Sequence, residues 1–273
     1  DVVPASLSLG PGQSATFDIT ATYASGALDG WRFGSLRWVS ESHEVYSPLA
    51  VRPTSIVAPG EITRAGGTGT VDFDVEFGYS GTYTPQVHGL NLPVVFNGYV
   101  ESDPDKTFEF TPTSIQGTTL HPFTIGPGQL YARFALFDAL TDGDDDLDMY
   151  VYYCGTDGQR CFEVGKSGEP TSNERVDLLR PAAGIYAVFI HGFETDEIQG
   201  GPGAYYQLLG WAFGEVDNAG NMSASGPDFV SAGTTGTVTV NWSNLTSNTI
   251  YFGGISHITP QGLSGLTLIT IGN

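Results

Sequence analysis

"TGTVDFDVEF", residues 68–77, alternates Val71, Phe73, Val75 and Phe77 with Asp72, Asp74 and Glu76. Successive strand side chains point to opposite faces, so this segment reads as a half-buried strand with an apolar inner face and an acidic outer one. The same style continues outward through "SGTYTPQVHGLNL" (80–92), "FNGYVESDPDKTFEF" (96–110) and "QLYARFALFDAL" (129–140). Thirty-seven glycines and sixteen prolines punctuate these short period-two runs, and long 3.6-residue periodicity is absent. The pattern predicts an all-β protein built of β-sandwich modules, with helix scarce.

At 273 residues, against roughly 100–200 residues per domain, several domains are expected. Residues 1–53 offer "SLSLG", then "SATFDITATY" with Ala15, Phe17, Ile19 and Ala21 on one face, then "GWRFGSLRWVSESHEVYSPLAV". That is three or four strands where a sandwich needs about seven. The segment therefore borrows strands from elsewhere or lacks its front half. Proline-glycine clusters at Val57-Ala58-Pro59-Gly60 and "RAGGTGT" place a boundary near residue 54. Residues 54–214 suit one jelly-roll-like sandwich, with "NERVDLLRPAAGIYAVFIHGFET" as strand, turn and strand and "AYYQLLGWAFG" closing it. Residues 215–273 again give three or four strands, in "GTVTVNWSNL", "TIYFGGISHI" and "GLTLITI". A Gly-led turn before an alternating strand recurs in the first and last segments, which read as weak repeats flanking a different central domain.

Thirty acidic residues against ten basic ones give a formal charge of −20, while 40% apolar residues allow real cores. A folded, acidic chain repels phosphate backbones and anionic headgroups, so neither nucleic acid nor a membrane surface is an expected partner. No apolar run approaches the ~18–20 residues of a membrane span. The chain opens on Asp1 with neither Met nor a signal segment, as expected of a processed or partial polypeptide. Cys154 and Cys161 enclose "GTDGQR", a turn sequence that sets two thiols across a hairpin tip. A disulfide there implies an oxidising, extracellular compartment. Zinc is not expected, because His43, His88, His121, His191 and His257 fall in no ligand spacing and lie away from the cysteines.

No G-x-S-x-G occurs, and Ser14, Ser35 and Ser264 sit in plain turns. A catalytic site carried by this chain alone is not expected. The chemistry concentrates instead in "DALTDGDDDLDMYVYY" (138–153). Asp142, Asp144, Asp145 and Asp146 crowd a turn around Gly143, and Asp148 follows on the same strand face as Asp146, about 6.6–7 Å along the chain. Calcium takes six to eight oxygens at about 2.3–2.6 Å and suits such a loop; open water is the plain alternative. The phasing of an EF-hand is absent. Asp103 and Asp105, and Glu194, Asp196 and Glu197, are weaker candidates of the same kind. Trp31, Trp38, Tyr205, Tyr206 and Trp211 offer a stacking platform for sugar or peptide, or else core. Sequons stand at Asn221, Asn241 and Asn244.

The stretch "ALDGWRFGSLRWVSESHEVYSPLAVRP" resembles the end of the fibronectin type III-like domain that follows the catalytic domain in subtilisin-like serine proteases. Trp31, Gly34, Leu36 and Trp38, then Val45, Ser47, Pro48 and Val51, carry the likeness. The centre is similar to the pre-peptidase C-terminal domain of secreted bacterial proteases through Asp146, Leu147, Asp148 and Tyr150, Glu174, Val176 and Leu178, and Pro181, Gly184 and Tyr186. These resemblances imply a non-catalytic accessory region of a secreted bacterial protease. Its partners would be the parent catalytic domain and protein or polysaccharide substrate, and a calcium ion would sit near Asp146 and Asp148. A matrix- or polysaccharide-binding module, or an adhesin-like surface protein, is the alternative.

Overall fold

The computed structural model describes residues 1–23, 28–111, 113–196, 203–214 and 219–272. Apart from one short 3-10 turn, every regular element among the described residues is a β-strand, as the alternation predicts. The first strands are β1 (Val2–Val3), β2 (Asp18–Ile19), β3 (Arg32–Val39) and β4 (Glu44–Val51). Then come β5 (Ile56–Val57), β6 (Glu61–Ala65), β7 (Gly69–Phe77), β8 (Gly81–Thr82) and β9 (Thr84–Asn91). A central run follows: β10 (Val94–Glu101), β11 (Thr118–Ile125), β12 (Gln129–Ala135), β13 (Asp146–Tyr153), β14 (Phe162–Ser167), β15 (Arg175–Leu179), β16 (Gly184–Glu194) and β17 (Gly203–Gly214). The chain ends with β18 (Met222–Ser225), β19 (Phe229–Val230), β20 (Thr234–Trp242), β21 (Tyr251–Thr259) and β22 (Gly262–Gly272).

The central strands form two facing four-stranded sheets, β10-β17-β12-β15 and β11-β16-β13-β14. Numbered within this unit they run 1-8-3-6 and 2-7-4-5, the strand order of a jelly roll. Between the sheets lie Phe123, Phe134, Leu147, Met149, Val151, Val188, Ile190 and Tyr206. Each large apolar side chain so buried stabilises by roughly 1.5–3 kcal/mol.

Sheet membership cuts across the boundary expected near 214, and residues 54–214 do not form one sandwich. The alternating strand β7 lies between β5 and β20 in a sheet β18-β20-β7-β5, and β6-β22-β21-β9 faces it. Residues 56–91 and 222–272 therefore build one sandwich together, and the jelly roll occupies the chain between them. The last segment does not want for partner strands: its missing half is supplied by β5, β6, β7 and β9. In β7 the apolar set is buried and the acidic set exposed, with Asp74 and Asp72 accepting from the hydroxyls of Thr237 and Thr239 on β20 at 2.9 and 2.6 Å. Trp242 seals the end of this core. Its indole N–H donates to Gly66 O at 2.8 Å, and its ring fills the space a Cβ at Gly69 would need.

A buried arginine joins the two sandwiches. Arg133 on β12 donates to Glu61 on β6 and Asp177 on β15, and its guanidinium lies 4.2 Å from the Phe252 ring centroid. Burial opposes the charge, but these two carboxylates hold the guanidinium protonated more firmly than usual. Leu209, Trp211 and Phe213 of the jelly roll pack with Phe252 and Leu268 of the other sandwich in one apolar cluster.

The first segment is different. β3 and β4 form a lone antiparallel hairpin whose side chains stay largely exposed, Phe33 at 81% and Val39 at 73%. Phe17 packs edge-on against Trp38 at 5.1 Å. At the hairpin tip expected around 155–160, Cys154 and Cys161 are joined, and Gly155 and Gly158 supply the positive φ that the turn needs.

Candidate functional site

The five aspartates of the acidic stretch divide into two environments. Asp142, Asp144 and Asp145 lie in the loop that follows the short 3-10 turn Asp138–Leu140. Asp142 clamps β17: its backbone N–H donates to Tyr205 O at 3.1 Å, and its Oδ1 accepts from the Tyr205 N–H at 2.7 Å. Asp144 N–H donates to Asp196 Oδ2 at 2.9 Å, and Asp196 N–H donates to Asp145 Oδ1 at 3.0 Å. A Cβ at Gly143 would lie 2.3 Å from Asp196 Oδ1, so a larger residue there would displace that carboxylate. Among the described residues, Asp142 Oδ2 and Asp145 Oδ2 are buried without a hydrogen-bond partner. Burial, reinforced by the charges of Asp196, Asp142 and Asp144, pushes the Asp145 carboxyl above its usual range.

Asp146 and Asp148 belong to β13 and line an open cleft of about 610 Å³ with Tyr150, Lys166, Glu169 and Phe193. Asp146 lies opposite Glu194 in the ladder. Burial and then the charges of Asp148 and Glu194 raise its carboxyl. Asp148 instead has compensation. Its Oδ2 accepts from His191 Nδ1 at 3.2 Å and from the Tyr150 hydroxyl at 3.4 Å. The other ring nitrogen of His191 contacts Asp103 Oδ2 at 2.9 Å. Asp103 in turn accepts from the backbone N–H groups of Asp105 and Thr107. His191 is fully buried. Burial works against its charge, yet hydrogen bonds and attraction from Asp148 and Asp103 raise its pKa above the ordinary histidine value.

The result is a buried carboxylate–imidazolium–carboxylate relay. It pins the strap from 102 to 110 onto the sheet, where Phe108 stacks on Tyr150 at 3.8 Å. Beside it Glu174, 1% exposed, has Oε1 on the Glu169 N–H, and its Oε2 has no close partner among the described residues, although the Ser167 hydroxyl favours the charged carboxyl. Burial pushes its carboxyl up to about 7.

Sequence reasoning named Asp103 only as a weak candidate and assigned no role to His191. The available signal was "AVFIHGF" (187–193), a histidine within an apolar strand, where a buried polar group demands a partner. Glu197 lies outside the described residues. Tyr206 and Trp211 are each 2% exposed and belong to cores, so the five aromatics do not make one platform. His121 and His257, each bonded to a tyrosine hydroxyl, are driven by burial to about 4 and are neutral. Ser256 donates to His88 Nε2 at 2.6 Å, with His88 Nδ1–H on Gly214 O. Both side chains are 1% exposed and sealed in the sandwich.

Among the described residues, no three His, Cys, Asp or Glu side chains converge into a group that would hold a metal as they stand. The donor chemistry of the loop nevertheless fits a hard cation, since two of its carboxylate oxygens are buried and unpartnered. Asp146 and Asp148 fit less well, because Asp148 is already neutralised by His191.

A family model described as a fibronectin type-III domain matches residues 1–51. Pyrolysin of Pyrococcus furiosus is 26% identical to this chain over 135 residues, a stretch covering 48% of the chain and 8% of pyrolysin. A solved structure of the M60 catalytic domain with the CBM51-1 and CBM51-2 domains from Clostridium perfringens ZmpB aligns with 84% of this chain and 32% of its own, at 8% identity and a TM-score of 0.24. Among the described residues no helix is long and apolar enough to cross a membrane.

Proposed function

We propose that this chain is a non-catalytic accessory region of a secreted subtilisin-like serine protease, stabilised by calcium at the loop Asp142–Asp145. The observation that carries the protease assignment is the combination of a fibronectin type-III match over residues 1–51 with a 135-residue likeness to pyrolysin. The disulfide supports an extracellular setting. The coding sequence on the 5′ side of Asp1 tests the attachment: a subtilisin-like catalytic domain in the same frame is expected, and its absence overturns it. The purified chain should release nothing from fluorogenic casein; hydrolysis by the chain itself overturns the non-catalytic role.

Calcium would act through the carboxylates of Asp142, Asp144 and Asp145, with Asp196 beside them, once they draw together. A cation bound to the native form alone stabilises by about 2.7 kcal/mol at a hundredfold excess over its Kd. Melting in millimolar calcium should therefore exceed melting in EDTA by several degrees. Superimposable melts would remove calcium from the proposal.

A further inference from the structure

The loop clamp at Tyr205 holds a surface whose chemistry the accessory role does not use. Tyr99 on β10 and Tyr205 on β17 are direct cross-strand partners, with ring centroids 4.8 Å apart and planes at 49°. Tyr205 is 57% exposed. The Tyr99 ring lies along the sheet over Gly203, where any Cβ would come within 2.8 Å of its Cζ and hydroxyl. A flat ring on a glycine presents its other face outward. The next outward pair along the ladder is Asn97 and Gln207, whose amides hydrogen-bond to each other at 3.1 Å. Val95, 44% exposed, continues the same face.

We propose that this face of the jelly roll binds a chain of neutral sugar, with Tyr99 and Tyr205 stacking on pyranose rings and Asn97 and Gln207 hydrogen-bonding their hydroxyls. Aromatic faces carry negative charge density that attracts the polarised C–H groups of a sugar ring. Amides supply both donors and acceptors. From Val95 to Glu101 the strand advances about 20 Å, a length of several sugar units. No Lys or Arg occurs in β10 or β17, and Glu101 and Asp142 border the rings, so an anionic polysaccharide is repelled. The clamp also fixes the strand before a ligand arrives, which lowers the ordering cost of binding.

The inference extends the accessory role to a ligand and requires neither a bound calcium ion nor a particular parent enzyme. It is tested with the full chain in native gels cast with hydroxyethylcellulose, arabinoxylan or acetylated glycol chitin, and separately with gelatin as a protein ligand. At least one of the three polysaccharides should retard the wild type. Tyr99→Ala and Tyr205→Ala should each weaken that retardation about tenfold, the effect of roughly 1.4 kcal/mol, while Tyr205→Phe, which keeps the ring face, should stay within about twofold. Unchanged melting and near-ultraviolet dichroism establish that the variants fold. Retardation by gelatin alone, by none of the polysaccharides, or equally in the doubly substituted Tyr99→Ala/Tyr205→Ala protein would overturn the proposal. The calcium melts read a different quantity, so either can fail without the other.

Discussion

The loop at 142–145 and the relay at 103, 148 and 191 are made of the same side chain and solve the problem of a buried carboxylate in opposite ways. Asp148 is 9% exposed and Asp145 5%, so desolvation presses on both. Asp148 shares a histidine with Asp103, and the histidine is held protonated by the pair it serves. Asp145 has one oxygen on a backbone N–H, one oxygen without a partner among the described residues, and three further acids close enough to raise its pKa. The contrast teaches that burial does not fix the charge state of an acid. What stands at hydrogen-bond distance does.

The sharpest way to break the comparison is to remove the compensating cation. His191→Ala leaves Asp103 and Asp148 facing one another without it, and breaking a buried pair in this way costs about 3–5 kcal/mol. A fall in melting temperature of about 10 °C at pH 6 is expected. The pH dependence has a definite sign. The raised pKa of His191 makes its contribution complete below the unfolded value of about 6.5, and that contribution fades as pH rises through the folded one. Asp103 is shifted the other way: burial opposes ionisation, but His191 and two backbone N–H groups hold the carboxyl low. Its contribution is present above the unfolded value of about 3.9 and is lost as pH falls through the folded value. The gap between wild type and variant should therefore be widest between about pH 4.5 and 6.5 and narrow on either side. A gap that grows steadily toward pH 9 would mean the histidine acts through packing.

At Glu174 burial outweighs the hydrogen bonds from Ser167 and Glu169 that favour the charge. Its carboxyl sits at about 7 because of burial, so the protonated form is the one the fold favours. That contribution is complete below the unfolded value near 4.5 and disappears as pH rises through 7. Glu174→Gln keeps an acceptor for the Glu169 N–H and removes the charge. Urea titrations at pH 8 should show the variant more stable than wild type by about 2 kcal/mol, and the advantage should vanish near pH 4.5. A variant weaker at pH 8 would show that Oε2 is matched by something the ionised form needs.

Much of this architecture was legible in the sequence, and the remainder was hidden for physical reasons. Alternation in 69–77 fixes which side chains of β7 face inward, because the strand period is two whatever strand lies alongside. It does not say which strand that is, and β20 lies more than 150 residues away. Hence the all-β class and the buried set of β7 could be read, while the pairing of 56–91 with the last segment could not. Parity within β17 was hidden likewise: neighbours such as Tyr205 and Tyr206 must face opposite ways, yet only the folded register decides that Tyr205 is outside. The acidic stretch was legible as chemistry. Its division was not, since Asp146 and Asp148 project from a strand with a bulge after Asp146, and the partner that separates them from the loop, His191, comes from another strand.

The smallest expected effect discriminates most finely between the two environments, because its sign depends on the solution. Asp145→Asn retains an oxygen for the Asp196 N–H and removes a charge that Asp142, Asp144 and Asp196 repel. In EDTA the substitution should raise stability by about 1 kcal/mol, a shift of two to four degrees in melting temperature for a domain of this size. In millimolar calcium the same substitution removes a ligand oxygen's charge, so the wild type should overtake it and the variant's response to calcium should shrink or vanish. The relay offers no such reversal: His191→Ala should lower the melting temperature equally in EDTA and in calcium. If Asp145→Asn is the weaker protein in both solutions, the loop is held by a partner of its own and the two environments are alike.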